Sequence, residues 1–126
     1  PGRMAADAMI RLGGQRHREV LLAVAPEVQA EHGVRLQVHH RRARGERIGL
    51  LELQSLWPFP YSMVAEKCQN ARLIVVVEMN LGQVLLQVKR AVSNPDRVML
   101  ANRVDGVFIT PTDIQNILRL IQGKGV

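Results

Sequence analysis

Glu78, Asn80 and Gln83 fall within one six-residue stretch, directly behind five consecutive aliphatics, Leu73 to Val77. A carboxylate and two carboxamides in that position could hold a proton, a cation or a polar ligand, because ligands of α/β sheets commonly bind beyond the carboxyl ends of the strands. A helix is predicted to start near Gly82, and its free N–H groups could receive an anion. The same residues also have a structural use, with Asn80 as a helix cap and Glu78 as a cap or a subunit contact. The Gly-rich spacing of a dinucleotide site or a P-loop does not occur around them.

Other reactive residue types form no constellation. His39 and His40 are adjacent on a predicted strand, so they should point to opposite faces and not share a metal; His17 and His32 lack ligand-like spacing to them. Cys68 is the only cysteine, which rules out an internal disulfide and a cysteine-held cluster within this chain, and on a predicted helix it reads as a small core residue. No serine occupies a nucleophile elbow. No catalytic, cofactor-binding or metal-ligating residue is therefore assigned.

The net charge of +6 is unevenly spread. It concentrates in "HHRRARGER", His39 to Arg47, where Glu46 alone offsets four Arg and two His. This run is expected as a solvated loop or strand edge, or as a surface for an acidic protein. No aromatic is interleaved for base stacking, so nucleic acid is not the expected partner.

The elements that must position these residues follow from periodicity. A short helix is predicted over residues 2–14, where Met4, Ala8 and Leu12 recur before Gly13-Gly14. Val20 to Val24 fits a buried strand, but Pro26 could equally open a helix to Gly33. Residues 34–42 alternate Val34, Leu36 and Val38 with polar residues, the period of a half-buried strand. "IGLLELQSL" is a strand ended by Trp57-Pro58-Phe59-Pro60, since neither proline can donate to a ladder. Trp57 is expected to be at least half buried there.

"SMVAEKCQN" reads as a helix capped by Ser62, and "ARLIVVVEM" as a central parallel strand covered on both faces. "GQVLLQVKRAV" is an amphipathic helix, "DRVMLANRV" a last strand, and "TPTDIQNILRLIQG" a closing helix with Thr110 as its N-cap. The alternation predicts a three-layer α/β/α fold around a mostly parallel sheet of about five strands, as a single domain over residues 1–126. No apolar run approaches the ~20 residues of a membrane span, and cysteine usage fits a cytoplasmic setting. The opening Pro1-Gly2-Arg3, with no initiator Met and no signal-peptide pattern, reads as part of a longer subunit.

Three runs, "GLLELQSLWPFP", "LIVVVEMNLGQVLLQVKRAV" and "RVDGVFITPTDI", resemble in order and spacing the C-terminal part of the alpha subunit of 2-oxoacid:ferredoxin oxidoreductases. The resemblance covers residues 48–121, leaving 14–47 as a divergent or inserted stretch, with the family's first strand expected ahead of Pro1. It implies a transketolase C-terminal-like domain in a complex that decarboxylates a 2-oxoacid such as 2-oxoglutarate or pyruvate on thiamine diphosphate and Mg²⁺. That complex passes electrons through iron-sulfur clusters to ferredoxin and forms an acyl-coenzyme A. The implied neighbours are the pyrimidine-binding domain of the same subunit and a thiamine-binding beta subunit. The Gly-Asp-Gly diphosphate motif and the cluster cysteines of the family are missing here, so a noncatalytic assembly role is implied, with Trp57, Phe59, Glu78, Asn80 and Gln83 as candidate interface or loop residues. The alternative is a free-standing α/β module that holds an anionic ligand or nucleic acid with its basic segment and a helix N-terminus.

Overall fold

The computed structural model describes residues 20–29, 32–54, 56–79, 81–102 and 111–123. Four parallel strands are found among them: β1 (Val20–Val24), β2 (Ile48–Glu52), β3 (Leu73–Glu78) and β4 (Val98–Asn102), in the order β2-β1-β3-β4. The register aligns Val24 with Glu52 on one side and with Val77 on the other, while Glu78 lies beside Asn102.

The helices are α1 (Pro26–Gln29), α2 (His32–Ala43), α3 (Tyr61–Cys68), α4 (Gln83–Ala91) and α5 (Pro111–Gly123), with a 3₁₀ turn at Pro95–Arg97. Strand periodicity divides the aliphatic runs between two cores. Leu21, Ala23, Leu51, Ile74 and Val76 face α3 and α4, where they meet Val64, Cys68, Val84 and Val88. Leu22, Val24, Leu50, Val75 and Val77 face the other way, against Val28, Val34, Val38, Ile114 and Leu118 of α1, α2 and α5. This is the expected three-layer arrangement, and it explains why β1 and β3 carry no polar alternation: both of their faces are covered.

Chain direction changes at the centre of the sheet. From β1 the chain crosses to β2 by way of α1 and α2 on one face, then returns past β1 to β3 by way of α3 on the other. Reversing direction while changing face keeps both crossovers of one hand. The carboxyl ends of β1 and β3 therefore form the switch point of the sheet, the usual ligand crevice of such folds.

Residues 34–42, whose alternation predicts a strand, belong instead to the helix α2. Val34, Val38 and Arg41 form its buried stripe and Leu36 faces water, so Val34 and Val38 satisfy both periods and burial chose the helical one. Being helical, His39 and His40 do not take opposite faces; both are exposed, with ring centroids 6.0 Å apart. The basic run is correspondingly the last turn of α2 and the turn into β2, rather than a loose loop or strand edge. Gly45, at φ +89°, makes that turn possible.

Val20 to Val24 is a strand, and Pro26 opens a helix that ends at Gln29 rather than at Gly33. The first strand among the described residues thus lies within the stretch that the resemblance left unassigned, in the middle of the sheet. Helix α3 starts at Tyr61 with Pro60 at its cap position and no side-chain cap, so Ser62 does not cap it. The helix expected over residues 2–14 and the cap at Thr110 lie outside the described residues, as do Asn80 and His17.

Candidate functional site

The carboxyl edge of the sheet gathers three carboxylates, from Glu27, Glu52 and Glu78. Each is engaged by the fold itself. Glu78, fully buried, ends the most apolar strand and turns back onto the start of α4, where its two oxygens accept the N–H groups of Val84 at 3.1 Å and Leu85 at 3.0 Å. A helix opens with several N–H groups unpaired and a partial positive charge, and a carboxylate there answers both needs. Gly82 precedes the helix at φ +108°, a conformation open to glycine at little cost, and this bend brings α4 back over Glu78.

Glu27 closes the switch point. From the first turn of α1 its Oε2 accepts the N–H of Met79 at 3.1 Å, beside a bond from the Ala25 N–H to the Val77 carbonyl at 3.0 Å. The crevice between β1 and β3, where an α/β enzyme would place its ligand, is stitched together by the chain.

Glu52, at the end of β2, meets Arg35 of α2: Nε lies 2.9 Å from both carboxylate oxygens and Nη2 2.7 Å from Oε2. The Glu52 side chain is buried while Arg35 remains half exposed. The carboxylate holds the Arg35 guanidinium above its ordinary pKa, first through the hydrogen bond and then through charge.

The basic segment is also consumed locally. Arg41 is buried and donates to Glu46 Oε1 at 3.1 Å; Arg44 reaches Glu46 Oε2 at 3.2 Å, and Arg42 donates to the Ile48 carbonyl at 3.2 Å. Three of the four arginines therefore hold the α2–β2 turn. With Glu78 occupying the α4 N-terminus, one anchor of an anion-binding module is taken and the other is partly engaged through Glu46.

The aromatic-proline turn divides its side chains. Phe59 is 7% exposed and packs in the core with Leu53 and Val64, whereas Trp57 is 87% exposed. The expected burial of Trp57 is thus corrected: Leu53, Leu56 and Phe59 fill this end of the core, and the indole lies outside it. Tyr61 stacks at a tilt on Phe59, ring centroids 4.9 Å apart, and its hydroxyl hydrogen-bonds Gln87 Oε1 of α4. Of the five residues singled out in sequence, Phe59 is a core residue, Glu78 a buried helix anchor, Trp57 and Gln83 are exposed, and Asn80 lies outside the described residues.

Glu27, Glu52 and Arg35 were not foreseen. A usable signal was present for Glu52, since "IGLLE" and "LIVVVE" both end an aliphatic run in Glu, and a carboxylate in such a place needs a partner. Arg35 and Glu27 carry no local mark; their partners lie 17 and 52 positions away.

Cys68 is buried beneath α3, and desolvation pushes its thiol up to about 12 against an opposing pull from Arg97. Arg97 donates to the carbonyls of Cys68 and Ala71 at the C-terminal end of that helix. The thiol is therefore inert as a nucleophile near neutrality. Below the ordinary thiol value of 9.0 both folded and unfolded states keep the proton. Above it the unfolded chain releases the proton first, so stability should fall by about 1.4 kcal/mol per pH unit until the folded thiol also titrates. Urea melts between pH 9 and 11 should show a slope shallower by about that amount in Cys68→Ala; parallel slopes would contradict the assignment.

Among the described residues no cluster of three or more His, Cys, Asp or Glu side chains could hold a metal, and no helix is long and apolar enough to cross a membrane. Residues 20–114 match the family described as pyruvate:ferredoxin oxidoreductase core domain II, a span that takes in β1 and α2. The 2-oxoglutarate synthase subunit KorA of Methanothermobacter marburgensis is 36% identical over 75 residues, 60% of this chain and 20% of that protein. The ketoisovalerate oxidoreductase subunit VorB of the same organism is 32% identical over 114 residues, 86% of this chain and 32% of that protein. The chain thus spans between 20% and 32% of the length of these curated relatives.

In fold it is similar to a 2-oxoglutarate:ferredoxin oxidoreductase from Magnetococcus marinus, solved with 2-oxoglutarate, coenzyme A and succinyl-CoA bound, with a TM-score of 0.77 at 19% identity over 89% of this chain and 19% of that one. A split-gene transketolase, solved as an inactive beta4 tetramer, superimposes with a TM-score of 0.62 at 16% identity over 84% of this chain and 39% of that one.

Proposed function

Because the chain belongs to the pyruvate:ferredoxin oxidoreductase core domain II family, we propose that it is a noncatalytic assembly domain of a thiamine diphosphate-dependent 2-oxoacid:ferredoxin oxidoreductase. In this reading it is one α/β domain of a longer cytoplasmic subunit. The complex oxidises a 2-oxoacid such as 2-oxoglutarate or pyruvate to an acyl-coenzyme A and reduces ferredoxin. The neighbours of the domain are the pyrimidine-binding domain of its own subunit and the thiamine-binding beta subunit.

The observation that carries the noncatalytic part is the closed carboxyl edge. Glu78 is held by two backbone N–H groups, Glu27 by Met79 and Glu52 by Arg35, so the carboxylates at the switch point are spent on structure. Thiamine diphosphate with Mg²⁺ would need free acidic ligands and open N–H groups, and a cluster needs about four accessible thiolates. The described residues fit neither requirement: their cysteine is the buried Cys68, and the N-terminus of α4 is taken. Those groups belong elsewhere in the complex.

The test is reconstitution. Mixed with its companion subunits, the chain should be required for a stable complex that reduces ferredoxin with 2-oxoacid and coenzyme A. Alone it should neither turn over 2-oxoacid nor bind the cofactor in a calorimetric titration. Micromolar binding of thiamine diphosphate and Mg²⁺ by the isolated chain would sink the proposal.

A further inference from the structure

Two connections at the carboxyl edge of the sheet differ from the rest of the chain in one respect: they carry no charged residue. Residues 53–64 and 79–88, the two connections that leave β2 and β3, contain no Asp, Glu, Lys or Arg, although such residues make up 22% of the chain. Among the described residues, these connections carry most of the large apolar side chains left in water. Trp57 is 87% exposed, Leu81 78% and Leu86 57%, and Tyr61 is partly exposed beside Gln87. Aromatic enrichment with depletion of charge marks the buried centre of a protein interface.

We infer that Trp57, Tyr61, Leu81 and Leu86 form the docking face of this domain, and that its occupant is an uncharged, apolar face of a neighbouring domain of the same oxidoreductase. The inference rests on the assembly reading above. Charge argues against an acidic protein or a nucleic acid, either of which would require cations in these two connections, and they contain none. The four side chains expose roughly 600 Å², the upper end for the largest apolar patch of an ordinary monomer. The curated relatives are several times longer than this chain, so a larger neighbour is available. The docking face shares only Trp57 with the residues marked in sequence: Phe59 and Glu78 point inward, and Tyr61, Leu81 and Leu86 were not among them.

Trp57 is the only tryptophan, so 5-hydroxytryptophan incorporated into this chain alone reports on that position. The labelled chain is mixed with the remaining domains and subunits of its own oxidoreductase, supplied unlabelled as separate chains, and acrylamide quenching is compared before and after assembly. Quenching should fall several-fold on assembly. Trp57→Asp and Leu81→Asp should each weaken assembly by about tenfold or more, as loss of an interface hot spot does, with circular dichroism unchanged. Arg44→Glu with Arg47→Glu should leave it unaltered. A complex that forms while Trp57 stays fully quenchable overturns the docking face and leaves the assembly reading standing. Protection that rises with concentration in the chain alone makes a second copy the occupant and also overturns it. Failure to form any complex, seen by light scattering, overturns both.

Discussion

Glu78→Ala should lower the stability of the fold by about 2–4 kcal/mol, read as a fall in the urea midpoint at unchanged m-value. The estimate comes from what the carboxylate leaves behind. Val84 is buried and its N–H has Glu78 Oε1 as acceptor; Leu85 is half buried and relies on Oε2. Removing both acceptors strands two N–H groups at the start of α4, and water has no open route to the first of them. A buried donor left without a partner costs about 1–3 kcal/mol, and loss of the charge at the helix N-terminus adds a few tenths to about 1 kcal/mol. Glu78→Gln keeps one acceptor and turns an NH₂ toward the other N–H, so its effect should fall between the two. A loss below about 0.5 kcal/mol for Glu78→Ala, the scale of surface substitutions, would mean that the carboxylate is not structural and would restore it as a ligand residue.

The same bonds decide between the two functions that the sequence left open. An anion-binding module needs an unsatisfied helix N-terminus and free guanidinium groups. The fold answers the first with Glu78 and the second with Glu46, which receives both Arg41 and Arg44. Neither answer is visible in composition, because net charge counts the arginines without recording their partners. The turn at Gly45 places Glu46 within reach of Arg41 and Arg44 and anchors the end of α2 to the beginning of β2.

What could be read in the sequence follows the range of the interactions involved. The strands at Ile48 and Leu73, the helix from Gln83 and the three-layer class are set by runs and periods within about ten residues, and these were legible. The stretch Val34 to Arg42 was not, because Val34, Leu36 and Val38 suit a strand while Val34, Val38 and Arg41 suit a helix. Only the core beneath, supplied by Leu22, Val75 and Ile114, selects the second pattern. Phe59 and Trp57 present the same limit: one ring joins the core with residues of α3 and α4 and the other stays in water. The role of Glu78 was half legible, as a polar residue at the right edge whose use depended on how α4 returns.

Phe59→Ala should be among the most damaging single substitutions, at about 3–5 kcal/mol, the range for deleting a large core aromatic, while Trp57→Ala should stay within about 0.5 kcal/mol. Both residues lie in one proline-bounded turn, two positions apart, and neighbouring sequence gives no reason to separate them. Burial does: Phe59 is packed against Leu53 and Val64, and Trp57 is in water. Truncating Phe59 would open a cavity between the end of β2 and α3 and would remove the support of the Tyr61 ring, weakening the hydrogen bond that joins α3 to Gln87 of α4. Chemical denaturation of the two variants measures the difference directly. The contrast also bears on function, because an exposed tryptophan that contributes nothing to stability is free to contact a partner. If Trp57→Ala proved as costly as Phe59→Ala, the indole would belong to the core, and Trp57 would have no place in the docking face at this edge.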